Sequence, residues 1–126
     1  LCDVLKLKND IGIRTRQAYR AKDMAEIKAL ATEYGTLIER IEIFYHAVRR
    51  QWFVENKPFG FEVQDVRIGG LLQRTKSCME RLEEFAAGAL TQIPELDEDI
   101  LDPECGDGQI REVNFNGWWQ LFATII

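Results

Sequence analysis

Any chemistry in this 126-residue chain has to come from a short set of residues: one histidine, three cysteines, three tryptophans and an acidic run that begins at Glu95. Zinc is held by Cys and His at short paired spacings, such as two ligands four apart on one helical face. His46 has no cysteine within thirty residues of it, so no zinc pattern is present and no metal is expected. The same spacing gives no support to a Cys/His nucleophile pair, and Cys2, Cys78 and Cys105 read as buried free thiols. Asp97 and Asp99 imitate positions one and three of a calcium loop, but position five is Leu101 and position six is Asp102, where an oxygen ligand and a glycine are required. Nothing in these spacings calls for a cofactor.

Two other groups of residues can make contacts without doing catalysis. Trp52 and the pair Trp118 and Trp119 offer flat faces on which the C–H face of a sugar ring can stack, although Trp52 is in register with a helical core stripe. Gly69 and Gly70 stand together inside a helical pattern, where each costs up to about 1 kcal/mol relative to alanine. Such a pair is kept for close approach. The approaching body is either a neighbouring helix or another domain or ligand, with Asp65 and Arg67 beside it and Arg74 two turns from Arg67 on the same face.

The elements that carry these residues are helical. Val4, Leu7, Ile11, Thr15, Ala18 and Tyr19 recur at three and four, which predicts a helix over 3–22 with a soft point at Gly12. Asp23 with Glu26 reads as a reciprocal capping pair that opens a helix over 23–56, striped from Ile27 to Trp52. Pro58 and Gly60 end it. A third helix is expected over 65–90, with Asp65 as its N-cap and a regular stripe from Ile68 to Ala89. Pro94 can begin a short helix over 94–101, and Pro103 stops it. The expected fold is mainly α: an antiparallel three-helix bundle with a short fourth helix and an extended apolar tail over 103–126. The last nine residues are aromatic and β-branched without a charge, favour a strand, and need a cover.

Composition fits one domain, with 46% apolar residues available for a core. The net charge of −5 is concentrated over 95–107, which holds seven acids and no base, so the rest of the chain is close to neutral. There is no basic stripe to neutralise phosphates, which excludes nucleic acid as an expected partner. No apolar run approaches the roughly 18 residues that span a bilayer, so no membrane partner is expected either. Few, scattered and unequal cysteines point to a reducing cytoplasm, with a bridge between Cys2 and Cys105 left open. The absence of an initiator Met before an apolar pattern reads as a piece of a longer polypeptide.

Several stretches together resemble a known family: 51–56 (QWFVEN), then Lys57, Pro58, Phe59, Gly60 and Phe61, then 63–71 with Arg74, Cys78 with Glu80, Arg81 and Leu82, and 93–96. Asn116, Gly117 and Trp118 running into Ala123 and Thr124 look like a diverged form of that family's closing segment. The chain resembles the C-terminal helical domain that follows the catalytic barrel in a bacterial branch of glycoside hydrolase family 20, the exo-β-N-acetylhexosaminidases. The resemblance implies a parent enzyme that removes terminal N-acetylglucosamine or N-acetylgalactosamine. In that chemistry the substrate's acetamido oxygen is the nucleophile, an Asp orients it and a neighbouring Glu is the general acid. Asp97 and Glu98 imitate the pair in letters only, since no strand precedes them. No catalytic role is transferred to any residue of this chain.

The expectation is a non-catalytic accessory domain whose partners are the catalytic barrel of the same polypeptide and a possible homodimer mate. Asp65, Arg67, Gly69, Gly70 and Trp118 are the candidate interface residues. An independent helical protein-interaction module is the alternative, and a carbohydrate-binding module using the tryptophans is a third reading.

Overall fold

A computed structural model of the chain describes residues 1–98. Four helices follow one another: α1 (Cys2–Ala21), α2 (Met24–Glu55), α3 (Phe61–Ala86) and the short α4 (Pro94–Asp97), with no strand among the described residues. α1 runs unbroken through Gly12 and buries Val4, Ile11, Thr15, Ala18 and Tyr19, the face its periodicity marked. It stops at Lys22, which turns left-handed at φ 54° while its N–H and that of Asp23 bond back to the carbonyls of Tyr19 and Ala18. That pair of bonds satisfies the last carbonyls of α1 and reverses the chain within two residues.

Asp23 at once caps α2: its Oδ1 accepts from the backbone N–H groups of Ala25 (3.1 Å) and Glu26 (3.0 Å). The expected capping is only half realised. Glu26 turns instead to Arg14 (3.1 Å), whose guanidinium also reaches Glu33 at 2.9 Å, so the two carboxylates clamp α1 to α2. A carboxylate near a guanidinium across the turn competes well against a weak reach to its own backbone.

α2 is the central helix, packed on α1 on one side and α3 on the other. It buries Ile27, Leu30, Ala31, Tyr34, Leu37 and Ile41. α3 answers with Phe61, Ile68, Thr75 and Leu82, four buried positions spaced seven apart. That spacing is two turns of helix, so they form a single seam, with Leu71, Leu72, Cys78, Met79 and Phe85 half-buried on its shoulders. The two buried threonines spend their hydroxyls on carbonyls one turn back, Thr15 on Ile11 (2.7 Å) and Thr75 on Leu71 (2.8 Å). No buried side-chain polar atom among the described residues lacks a partner.

The third helix starts a turn earlier than the sequence indicated. Gly60 precedes it at φ 99°, and its N–H donates to the Glu62 carboxylate at 2.8 Å, so glycine conformation and a first-turn acid open the helix in place of an Asp65 cap. It also closes earlier, at Ala86, where Gly88 turns at φ 77°. The following segment is latched across α1 and α3. Ile93 is buried, and the Tyr19 hydroxyl accepts from its N–H (2.9 Å) while donating to Asp97 (3.0 Å). Arg16 donates to the carbonyls of Leu96 and Glu98, and Arg81 binds Glu95. The short helix ends at Asp97. Glu98 is already extended, so the helix expected over 94–101 stops short; residues 99–126, with Cys105, the acidic loop and the tail, lie outside the described residues.

Candidate functional site

α2 has 32 residues and α1 has 20. Antiparallel packing therefore leaves roughly a dozen residues of α2, about 18 Å, without α1 beside them. No α2 residue beyond Ile41 is buried. This overhang and the start of α3 form a two-helix hairpin end, and Asp65, Arg67, Gly69 and Gly70 follow it along the first half of α3.

Phe61 holds the hairpin end together. It is buried at 4% exposure, with the rings of Phe53, Trp52 and Tyr45 at centroid distances of 5.2, 5.9 and 6.1 Å. The Trp52 indole N–H donates to the Lys57 carbonyl at 3.0 Å, which ties the loop to the end of α2. A Cβ at Gly60 would stand 3.4 Å from the Trp52 ring, so the bare glycine lets the loop lie flat on the indole. Trp52 is thus committed to packing, with its body half-buried and its N–H in use. The Tyr45 hydroxyl donates to Asp65 at 2.8 Å, crossing from α2 to α3, and this bond to a carboxylate holds the phenol above its ordinary pKa.

Around that cluster the surface is apolar and basic. Phe59 is 83% exposed, Val54 80% and Phe53 46%. Arg49 lies over the Phe53 ring at 5.1 Å, and His46 stands edge-on to Tyr45. His46, Arg49 and Arg50 are exposed. Of the eight large apolar residues exposed among the described residues, Phe53, Val54 and Phe59 fall together at this end, while Leu1, Leu5, Ile13, Met24 and Ile43 lie at other points of the chain.

The candidates divide. Asp65 belongs to the hairpin end through Tyr45, and Arg67 is exposed two positions further along α3. Gly69 and Gly70 are both exposed, and a Cβ on either would meet no atom of the described residues within 4 Å. Close helix–helix approach is therefore not what keeps the pair; they follow the buried Ile68 by one and two positions, which at roughly 100° per residue turns them off the seam. The thiol reading is corrected as well, because Cys2 is exposed and Cys78 half-buried. Trp118 lies outside the described residues. No group of three His, Cys, Asp or Glu residues able to hold a metal occurs among the described residues. Sequence reasoning missed Phe61 and Tyr45, though Phe61 stands seven residues before Ile68 and so continues the seam by one further step.

No curated protein matches the chain. The sequence model of one family, described as the Glycoside Hydrolase 20C C-terminal domain, matches residues 1–111. That stretch takes in all four helices, the Phe61 cluster, Asp65, Arg67 and both glycines, and it stops short of Trp118. With most of its length matched, the chain belongs to the glycoside hydrolase 20C C-terminal domain family.

Proposed function

We propose that this chain is the accessory C-terminal domain of a β-N-acetylhexosaminidase, inert by itself, and that its hairpin end packs on the catalytic barrel of the same polypeptide. The parent would release terminal N-acetylglucosamine or N-acetylgalactosamine, with the catalytic Asp and Glu supplied by the barrel. The family match supports the parentage. The observation that carries the packing is the overhanging end of α2 and the start of α3, where Phe53, Val54 and Phe59 stand exposed next to the residues of the Phe61 ring cluster. Rigid backing lets an exposed aromatic give up water on docking without losing much side-chain freedom.

The test is a pair of measurements on Val54→Ser with Phe59→Ser. The double variant is expected to leave the melting temperature of the isolated chain unchanged within about 2 °C, because both side chains are exposed. In the intact parent it is expected to lower the unfolding temperature of the catalytic domain. An unchanged parent would defeat the packing proposal. Release of nitrophenol from an aryl N-acetyl-β-glucosaminide by the isolated chain would defeat the accessory role.

A further inference from the structure

α1 and α3 both pack on α2, but between them a cavity of about 170 Å³ remains. Gly12 and Thr15 of α1, Tyr34 of α2, Arg74, Ser77, Cys78, Arg81 and Leu82 of α3, and Ile93, Glu95 and Leu96 of the latch line it. A dry cavity of about this size holds one benzene-sized molecule. Its walls are mainly apolar, from Leu82, Ile93 and Leu96. Its polar depth is already satisfied, since the Thr15 hydroxyl bonds to Ile11 and meets the Tyr34 hydroxyl at 3.2 Å.

The mouth is charged. Three ionic side chains line the cavity, two guanidiniums and one carboxylate. Arg81 is taken up by Glu95, which it reaches at 3.1 Å. Arg74 has no ion-pair partner among the described residues, and this exposed side chain is one of those that line the cavity. Gly12 is exposed, and no atom of the described residues lies within 4 Å of a Cβ built on it, so among those residues nothing covers the α1 side of the cavity.

We propose that this cavity is a binding site for a small organic monocarboxylate with an apolar body, its carboxylate held by Arg74 at the mouth and its body among Leu82, Ile93 and Leu96. A neutral apolar molecule would fit the walls but leave the surplus cation unused. A sugar would find the lining hydroxyls already engaged, Thr15 with Tyr34 and Ser77 with the Gln73 carbonyl, and the walls around them mainly apolar. A dianion would meet Glu95. None of the cavity's lining residues belongs to the hairpin end.

The probe is benzoate, with benzyl alcohol as the neutral match, titrated into the ¹⁵N-labelled 126-residue chain to about 20 mM. Benzoate is expected to shift the amides of Gly12, Thr15, Cys78, Leu82 and Ile93 together, with one saturating curve. Arg74→Gln is expected to weaken benzoate by about fivefold or more while leaving benzyl alcohol unchanged. Gly12→Leu keeps the helix, since its Cβ meets no neighbour among the described residues, and is expected to abolish both by closing the mouth. Absence of saturable shifts at those amides overturns the site. Equal affinity for the two probes, or benzoate binding untouched by Arg74→Gln, overturns the anion assignment.

Discussion

Replacing Gly69 and Gly70 by alanine should make the isolated chain more stable. Both residues are helical, neither has a positive φ, and a methyl group on either meets no atom of the described residues within 4 Å. The folded state therefore loses nothing, while each alanine restricts the unfolded chain and removes about 0.8–1 kcal/mol of helix penalty. The two methyls share no partner, so the gains add to about 2 kcal/mol. In a domain of this size that raises the melting temperature by about 8–12 °C, read by circular dichroism at 222 nm. An unchanged or lower melting temperature would refute the reasoning, for it would mean that something in the free chain already occupies that space. The same variant also bears on the accessory role. If another body approaches α3 at the pair, the double alanine will stabilise the isolated chain and yet loosen the domain in its parent.

Gly60→Ala should act in the opposite direction, costing about 1–3 kcal/mol in a urea titration, because φ is 99° and the new methyl would press on Trp52 at 3.4 Å. An effect below about 0.5 kcal/mol would count against the described turn. Tyr19→Phe removes the acceptor for the buried Ile93 N–H, at a cost of about 1–3 kcal/mol, and should raise the hydrogen-exchange rate of that amide more than of amides in α2. Uniform acceleration would show that the latch does not open on its own. Glu95 has its pKa lowered from 4.5, through hydrogen bonding to its own backbone amide and then to Arg81. A depressed carboxylate contributes stability above its ordinary pKa and loses it as pH falls through the folded value, so Glu95→Gln should flatten the melting curve against pH below about 4.5. The carboxylate stays open to solvent, and salt should erase much of the difference.

Helix identity was legible because burial imposes a period. The stripes through Val4, Ile11 and Tyr19, through Ile27, Leu30 and Ile41, and through Ile68, Thr75 and Leu82 are the faces that lost water. Boundaries were less legible, since they rest on single hydrogen bonds with close competitors. Asp65 has the letters of an N-cap but is bonded by Tyr45, and Glu26 has those of a capping partner but is drawn to Arg14. Both competitors lie on another helix, about twenty and twelve residues away in sequence.

By itself the sequence determined three amphipathic helices, the turns at Asp23 and Pro58, and a family pattern spread over most of the chain. Those are consequences of local spacing and of residue identity. Only the tertiary structure decided which surfaces were left over. The unequal lengths of α1 and α2 uncover the hairpin end, and the latch at Ile93 closes one part of the α1–α3 groove and leaves a cavity beside Arg74. The glycine pair shows the difference most directly: its propensity cost could be read from two letters, but whether anything stood opposite required the positions of all three helices.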